Sequence, residues 1–115
     1  MEIIYKQDVK NAKDMYELTT SPNIHRMTEK AGQKLVIKKC VRYRDVAGTD
    51  DETKEAVAIM DKDGTVYASA SPTFIRDFDR MITIFADFDE TVHTIEVLSG
   101  TSRNGRTYLT CRYVD

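Results

Sequence analysis

Five stretches with strand-like alternation constrain this fold more than any other feature of the chain. Each is rich in β-branched and aromatic residues, and turn-forming residues bound them. The pairs Asp63-Gly64 and Asn104-Gly105 tolerate the positive φ that tight hairpins require, so they predict two hairpins. The pattern predicts a mainly β chain with strands over residues 35–46, 53–61, 65–69, 91–100 and 105–114.

One helical pattern lies between the third and fourth of these stretches. Ser71 before Pro72 is typical of a helix start, because serine caps helices and proline fits the first helical position. The spacing of Phe74, Phe78 and Met81 then predicts an apolar helix face packed on a sheet. Three strands, a helix and two strands is the order of the OB-fold, a five-stranded barrel that binds oligonucleotides.

We therefore expect a single OB-fold-like domain over residues 1–115, with one helix between its third and fourth strands. A small α+β sheet with one helix is the competing architecture. Residues 1–33 are expected to form an N-terminal extension, in which residues 1–7 favour a short strand and Asp8 could cap a helix over residues 9–18. The extension could complete the barrel, cover an edge strand or pair with another copy of the chain.

The few cysteines and histidines argue against metal chemistry. Cys40 and Cys111 lie in strand stretches, where a buried free thiol is expected before a disulfide or a metal site. Only His25 and His93 accompany them, and no zinc-binding spacing exists. Without a nucleophile elbow or a phosphate-binding glycine loop, we expect neither an enzyme nor a cofactor.

The start of the chain and its hydropathy bear on location. No apolar run reaches the roughly 20 residues of a membrane span. The N-terminus lacks a basic start followed by an apolar stretch, so we expect no signal peptide and a cytoplasmic protein.

The last stretch carries cations and an aromatic ring on one face. Alternation places Arg106, Tyr108 and Arg112 opposite the better core face, which holds Leu109 and Cys111. Cations neutralise phosphates and a flat ring stacks on any base, which is the combination that single-strand binding requires. The alternative interpretation is an ordinary solvated strand face.

Three further features extend this candidate surface. Strict alternation along residues 35–46 puts the core-like Leu35, Ile37, Val41 and Tyr43 on one face. It puts Lys38, Cys40, Arg42 and Arg44 on the other. Tyr67 offers a second ring, and Arg103 lies at the tip of a loop whose amides could approach phosphates closely. The candidate nucleic-acid contacts are therefore Lys38, Arg42, Arg44, Tyr67, Arg103, Arg106, Tyr108 and Arg112.

The net charge of −2 is unevenly distributed. Residues 34–44 hold five basic side chains and no acid, whereas residues 45–55 carry a net charge of −4. A second function class is therefore open, a protein-interaction module that binds a host factor through acidic segments at residues 45–55 and 87–90. RNA is an alternative nucleic-acid partner, because stacking and phosphate contacts do not distinguish it from DNA.

Two runs carry a resemblance to a known family. The runs 54-KEAVAIMDKDGTVYASASPTFIRDF-78 and 99-SGTSRNGRTYLTC-111 resemble the small single-stranded DNA-binding proteins of tailed phages that infect Gram-positive bacteria and replicate by protein priming. The resemblance covers residues 32–114. It implies binding of single-stranded DNA with low sequence preference, protection of replication intermediates, and replication proteins as further partners. The resemblance also implies that residues 100–105, with the sequence GTSRNG, correspond to a loop of the family.

Overall fold

The computed structural model describes residues 1–47 and 52–114. These residues form seven strands, two α-helices and a short 3-10 helix at Met27–Lys30. In chain order the elements are β1 (Glu2–Gln7), α1 (Ala12–Thr19), β2 (His25–Arg26), β3 (Lys34–Ala47), β4 (Glu52–Asp61), β5 (Val66–Ser69), α2 (Pro72–Ala86), β6 (Thr94–Thr101) and β7 (Thr107–Tyr113).

The strands form a curled, open sheet, in effect a half-barrel. Their order across the sheet is β2-β5-β4-β3-β6-β7, and β1 pairs with β3 beside this path. The long strand β3 pairs with β4 along most of its length, with β1 near its end and with β6 near its start. The mainly β, OB-like prediction is confirmed at this level. The strand count of five was wrong, because β1 and β2 also join the sheet.

The N-terminal segment contributes to the sheet at two places. β1 runs antiparallel to β3, from Glu2 opposite Arg44 to Gln7 opposite Cys40. β2 lies parallel to β5 at the far edge. The predicted helix start was wrong, since Asn11, not Asp8, caps α1 by accepting a hydrogen bond from the Asp14 amide at 2.9 Å.

The main hydrophobic core lies between the inner face of the curled sheet and α2. Phe74 and Phe78 are fully buried on the sheet-facing side of α2, as their spacing predicts. A second, smaller cluster lies on the other side of the sheet, where Leu18 of α1 packs against Val41, Ala58 and Met60. Sheet residues are therefore covered from both sides.

A β-bulge at Lys38 changes the face on which the side chains of β3 lie. Ile37 is paired with Asp61 and Lys39 with Met60, so Lys38 is an extra residue in the ladder. Ile37 consequently shares the main core with Cys40, whereas Val41 belongs to the second cluster. The strict alternation predicted for this strand was wrong, because it assumed an uninterrupted ladder.

Cys40 and Cys111 are free and buried in the main core, as predicted. Burial raises the pKa of each thiol to about 12. Both are therefore protonated at neutral pH. No helix among residues 1–47 and 52–114 has the length and apolar character needed to cross a bilayer.

Candidate nucleic-acid interface

The β6–β7 hairpin ends in a tight turn that carries two of the predicted cations. The Ser102 amide donates to the Arg106 carbonyl at 2.8 Å, and the Gly105 amide donates to the Ser102 carbonyl at 2.9 Å. Gly105 has a φ of 76°, the conformation that the sequence predicts for this turn. Arg103 and Arg106 are exposed, and neither forms an ion pair within the described part of the chain.

Tyr108 lies flat against the neighbouring strand at Gly100. The two residues are register partners, and a Cβ at Gly100 would lie 2.6 Å from the Tyr108 Cζ and hydroxyl oxygen. Only a residue without a side chain leaves this space for the ring. Tyr108 remains 40% exposed, so one apolar surface of the ring is supported by backbone and the rest is available to a ligand.

An open groove of about 330 Å³ runs beside Tyr108. The β7 wall is formed by residues 107–109, and the opposite wall by Arg26 and Met27. The small residues 68–71, which run from the end of β5 to the start of α2, also line the groove. The groove follows the open seam of the half-barrel, since no strand pairing joins β7 to β2 among the described residues.

Arg112 and Arg44 lie on the surface but already have acidic partners. Arg112 donates to Glu96 through Nε at 2.6 Å and through Nη2 at 2.5 Å. Arg44 contacts both Glu55 and Glu2, at 3.1 and 3.0 Å. The positive charge of each of these two arginines is thus partly neutralised by acids of the protein itself.

Arg42 is a buried cation. It is 3% exposed, and its Nε and Nη2 atoms donate to Asp79 and Glu55 at 2.9 and 3.0 Å. Burial would lower the pKa of this guanidinium, but the two carboxylates outweigh that effect and raise its pKa. The same pairing, with Arg44 adding to it, lowers the pKa of Glu55. This geometry supports a structural bridge between β3, β4 and α2.

Lys38 and Tyr67 lie apart from the hairpin set. Lys38 is exposed at the bulge, with no ion pair among the residues described. The Tyr67 ring contacts the N-terminal segment, with the His25 ring centroid at 5.6 Å and the Lys30 Nζ 5.2 Å from its own centroid.

The structure thus brings together only part of the predicted set. Arg103, Arg106 and Tyr108 share the β6–β7 hairpin. This hairpin pairs with the start of β3, whereas Arg44 lies near the end of β3. At about 3.3 Å per residue, ten residues of strand separate Lys34 from Arg44 by up to about 33 Å. The gathering of basic residues from both strands on one DNA-binding surface stays a prediction.

Arg26 is a groove residue that sequence reasoning missed. It lies on the two-residue strand β2, opposite Ala68. The segment around it has neither helical nor strand periodicity, and only the parallel pairing of β2 with β5 brings it to the groove. No local pattern in the sequence marks Arg26 as part of this groove.

Within residues 1–47 and 52–114, no group of three His, Cys, Asp or Glu side chains is placed to hold a metal ion. Residues 48–51, in the acidic segment predicted as a partner contact, lie outside the described residues.

Comparison with known proteins identifies the family. The family model described as Phage Single-stranded DNA-binding protein, of the Phi29 type, matches residues 3–113. No curated protein and no solved structure gives a significant match. The match begins within β1 and covers every later element, so it starts well before residue 32, where the resemblance begins. The chain therefore belongs to the Phi29-type family of phage single-stranded DNA-binding proteins.

Proposed function

We propose that this protein coats single-stranded DNA with low sequence preference and protects it during phage DNA replication or recombination. The observation that carries the proposal is the β6–β7 hairpin, where the exposed ring of Tyr108 is supported by Gly100 and flanked by Arg103 and Arg106. A stacking surface with adjacent cations recognises what every single strand offers, an unpaired base face and a phosphate chain.

The residues we propose as DNA contacts contribute to binding to different extents. Tyr108 stacks on a base, and Arg103 and Arg106 contact the flanking phosphates, because all three are exposed and the arginines have no acidic partner in the described chain. Lys38, Arg44 and Arg112 contribute more weakly to the electrostatic attraction. Tyr67 is a second stacking candidate, and Arg42 acts mainly by holding Asp79 and Glu55.

The test is fluorescence anisotropy of a labelled oligothymidine at low and moderate salt, with duplex DNA and an RNA oligonucleotide as competitors. We expect salt-sensitive binding that duplex does not displace. Tyr108→Ala should weaken it by about 5- to 150-fold, since stacking contributes about 1–3 kcal/mol per base. Duplex that competes as well as single strands at equal salt would contradict the proposal. Equal competition by the RNA oligonucleotide would show that the protein binds single-stranded RNA as well as DNA.

A second function, the binding of a host or replication protein, is supported by the segment that follows α2. Phe88 is 73% exposed between Asp87, Asp89 and Glu90, which are also exposed. An apolar side chain among acids is typical of a contact with a basic, partly apolar surface. Phe88→Ser should abolish capture of such a partner and leave the affinity for oligothymidine unchanged.

A further inference from the structure

A second cationic groove lies on the other side of the α2 start from the hairpin. It has a volume of about 740 Å³, more than twice that of the groove beside Tyr108. Lys54 of β4 lines one side of it, and Arg76 and Arg80 of α2 line the other. The less polar lining includes Ala70, Pro72 and Ile75.

The acids of this groove are already paired within the protein. Glu55 and Asp79 both accept hydrogen bonds from the buried Arg42, at 3.0 and 2.9 Å. The exposed cations Lys54 and Arg80 have no ion-pair partner among the described residues. Arg76 contacts Asp77 at 3.2 Å. With its carboxylates occupied, the groove presents net positive charge to a ligand.

The geometry of α2 suits an extended polyanion. Arg76 and Arg80 are four residues apart on one helix, so their side chains project from the same face with Cβ atoms about 5–6 Å apart. Both are exposed, and Lys54 provides a third cation from the sheet. Cations arranged along a groove match a chain of successive phosphates better than they match a single small anion.

The two grooves adjoin at the start of α2. Ala70 lines both of them, and the two residues that follow it divide between them, Ser71 lining the first groove and Pro72 the second. A ligand strand leaving Tyr108 can therefore reach the groove of Lys54 and Arg80 over this short segment. Small side chains at this junction leave room for a nucleotide backbone.

We propose that Lys54, Arg76 and Arg80 form a second phosphate-binding segment, which extends the single-strand path from the hairpin onto α2. The inference rests on the proposed single-strand binding and adds to it the direction of the strand and the residues that hold its far end. Short oligonucleotides occupy the hairpin groove alone, and longer ones engage both segments.

The experiment compares oligothymidines from about 4 to about 16 nucleotides, the range of sites per OB fold, on the wild type and on a Lys54→Gln/Arg80→Gln double variant. A Lys10→Gln/Lys62→Gln variant removes the same charge from exposed positions that line neither groove. For the Lys54→Gln/Arg80→Gln variant we expect near wild-type affinity for the shortest oligonucleotide that binds. Its affinity for longer oligonucleotides should fall progressively below that of the wild type. The slope of log K against log salt for the longest should fall by about 1.4, or about 0.7 per lost phosphate contact.

The possible results separate this inference from the function on which it rests. Wild-type binding with equal effects of both double variants at every length would overturn the α2 segment and leave single-strand binding intact. Failure of the wild type to bind any oligothymidine at low salt would overturn both, and an acidic peptide would become the ligand to test. Both variants change exposed side chains, and matched urea midpoints would show that neither has altered the fold.

Discussion

Tyr108 owes its exposed position to the residue beside it on β6. Its ring occupies the space that a side chain at Gly100 would fill, with a separation of 2.6 Å from an added Cβ. The ring therefore lies along the strand surface with its orientation fixed by backbone. Gly100 thus leaves the space that the ring occupies, and in the function proposed above this ring is the surface on which a base stacks.

Gly100→Ala should displace the Tyr108 ring and weaken oligothymidine binding. We expect a loss approaching that of Tyr108→Ala, within the range of about 1–3 kcal/mol for one stacked base. In the Tyr108→Ala background the same glycine substitution should have little further effect, because the clash has gone. A double-mutant cycle measured by anisotropy checks this, and additive effects would contradict it.

Acid should destabilise the protein through two carboxylates whose pKa values the fold lowers. The hydrogen bond from Lys39 lowers the pKa of Asp14 below its ordinary 3.8, and Arg42, with Arg44, lowers that of Glu55 below its ordinary 4.5. A lowered pKa gives stability that is complete above the ordinary value and is lost as pH falls through the folded value.

Urea midpoints measured between about pH 6 and about pH 3 should therefore fall as these groups become protonated. Lys39→Met removes the partner of Asp14 and should flatten the acid branch of the curve. Lys62→Met, at an exposed turn position, serves as the control. Parallel curves for all three proteins would show that the Asp14–Lys39 pair does not contribute.

Among the predicted elements, β3 has a clear position and a register that the sequence did not reveal. Residues 35–46 show strong β character, and the strand forms as Lys34–Ala47. The residue type at position 38 does not indicate a bulge, because a lysine is equally compatible with an exposed position in a regular strand. Only the pairing of Ile37 with Asp61 and of Lys39 with Met60 reveals it.

Deletion of Lys38 should close the bulge and leave Ile37 and Cys40 on the core face, because Lys38 is the extra residue in the ladder. We therefore expect this deletion and Lys38→Ala to keep the free energy of unfolding within about 1 kcal/mol of the wild type. Deletion of Val36, a residue paired in the ladder, should instead move Leu35 to the opposite face and cost about 1.5–3 kcal/mol. Urea unfolding followed by circular dichroism measures all three variants, and equal losses for the two deletions would contradict the register.

The helix α1 should be important for stability and dispensable for contact with DNA. Leu18 is fully buried against the side of the sheet opposite α2. Leu18→Ala should destabilise the protein by about 2–5 kcal/mol. Oligothymidine affinity, measured where the variant is still folded, should remain that of the wild type, and a matching loss of affinity would place α1 in the interface.

The sequence predicted the elements with regular patterns and missed those that depend on distant contacts. Alternation and the turns at Gly64 and Gly105 predict β3 to β7, and the phenylalanine spacing predicts α2. The hairpin, with its exposed tyrosine and arginines, follows from the same rules. The partners of Arg42 and the position of Arg26 do not, because ion pairs across 37 residues and a two-residue parallel strand leave no local pattern.

At the scale of the whole molecule, a net charge of −2 does not prevent attraction to a polyanion. What matters is where cations remain unpaired. Arg42, Arg44 and Arg112 are held by acids, whereas Arg103 and Arg106 extend from the hairpin without a partner in the described chain. The attraction should therefore be short-ranged and easily screened.

Arg103→Gln and Arg106→Gln should each lower the slope of log K against log salt by about 0.7. Arg112→Gln should change it less, because Glu96 already neutralises that side chain. Anisotropy titrations at four or five salt concentrations measure the slopes. Equal slopes for the Arg106 and Arg112 variants would show that the ion pair with Glu96 opens when DNA binds.

The open seam of the half-barrel has a consequence for how DNA is loaded. A closed ring must be threaded by a free end, but a groove between β7 and the β2–β5 edge admits a strand from the side. Covalently closed single-stranded circles should therefore bind as readily, per nucleotide, as linear strands. The protein could then cover an internal gap or a displaced loop as soon as it appears, without waiting for a terminus.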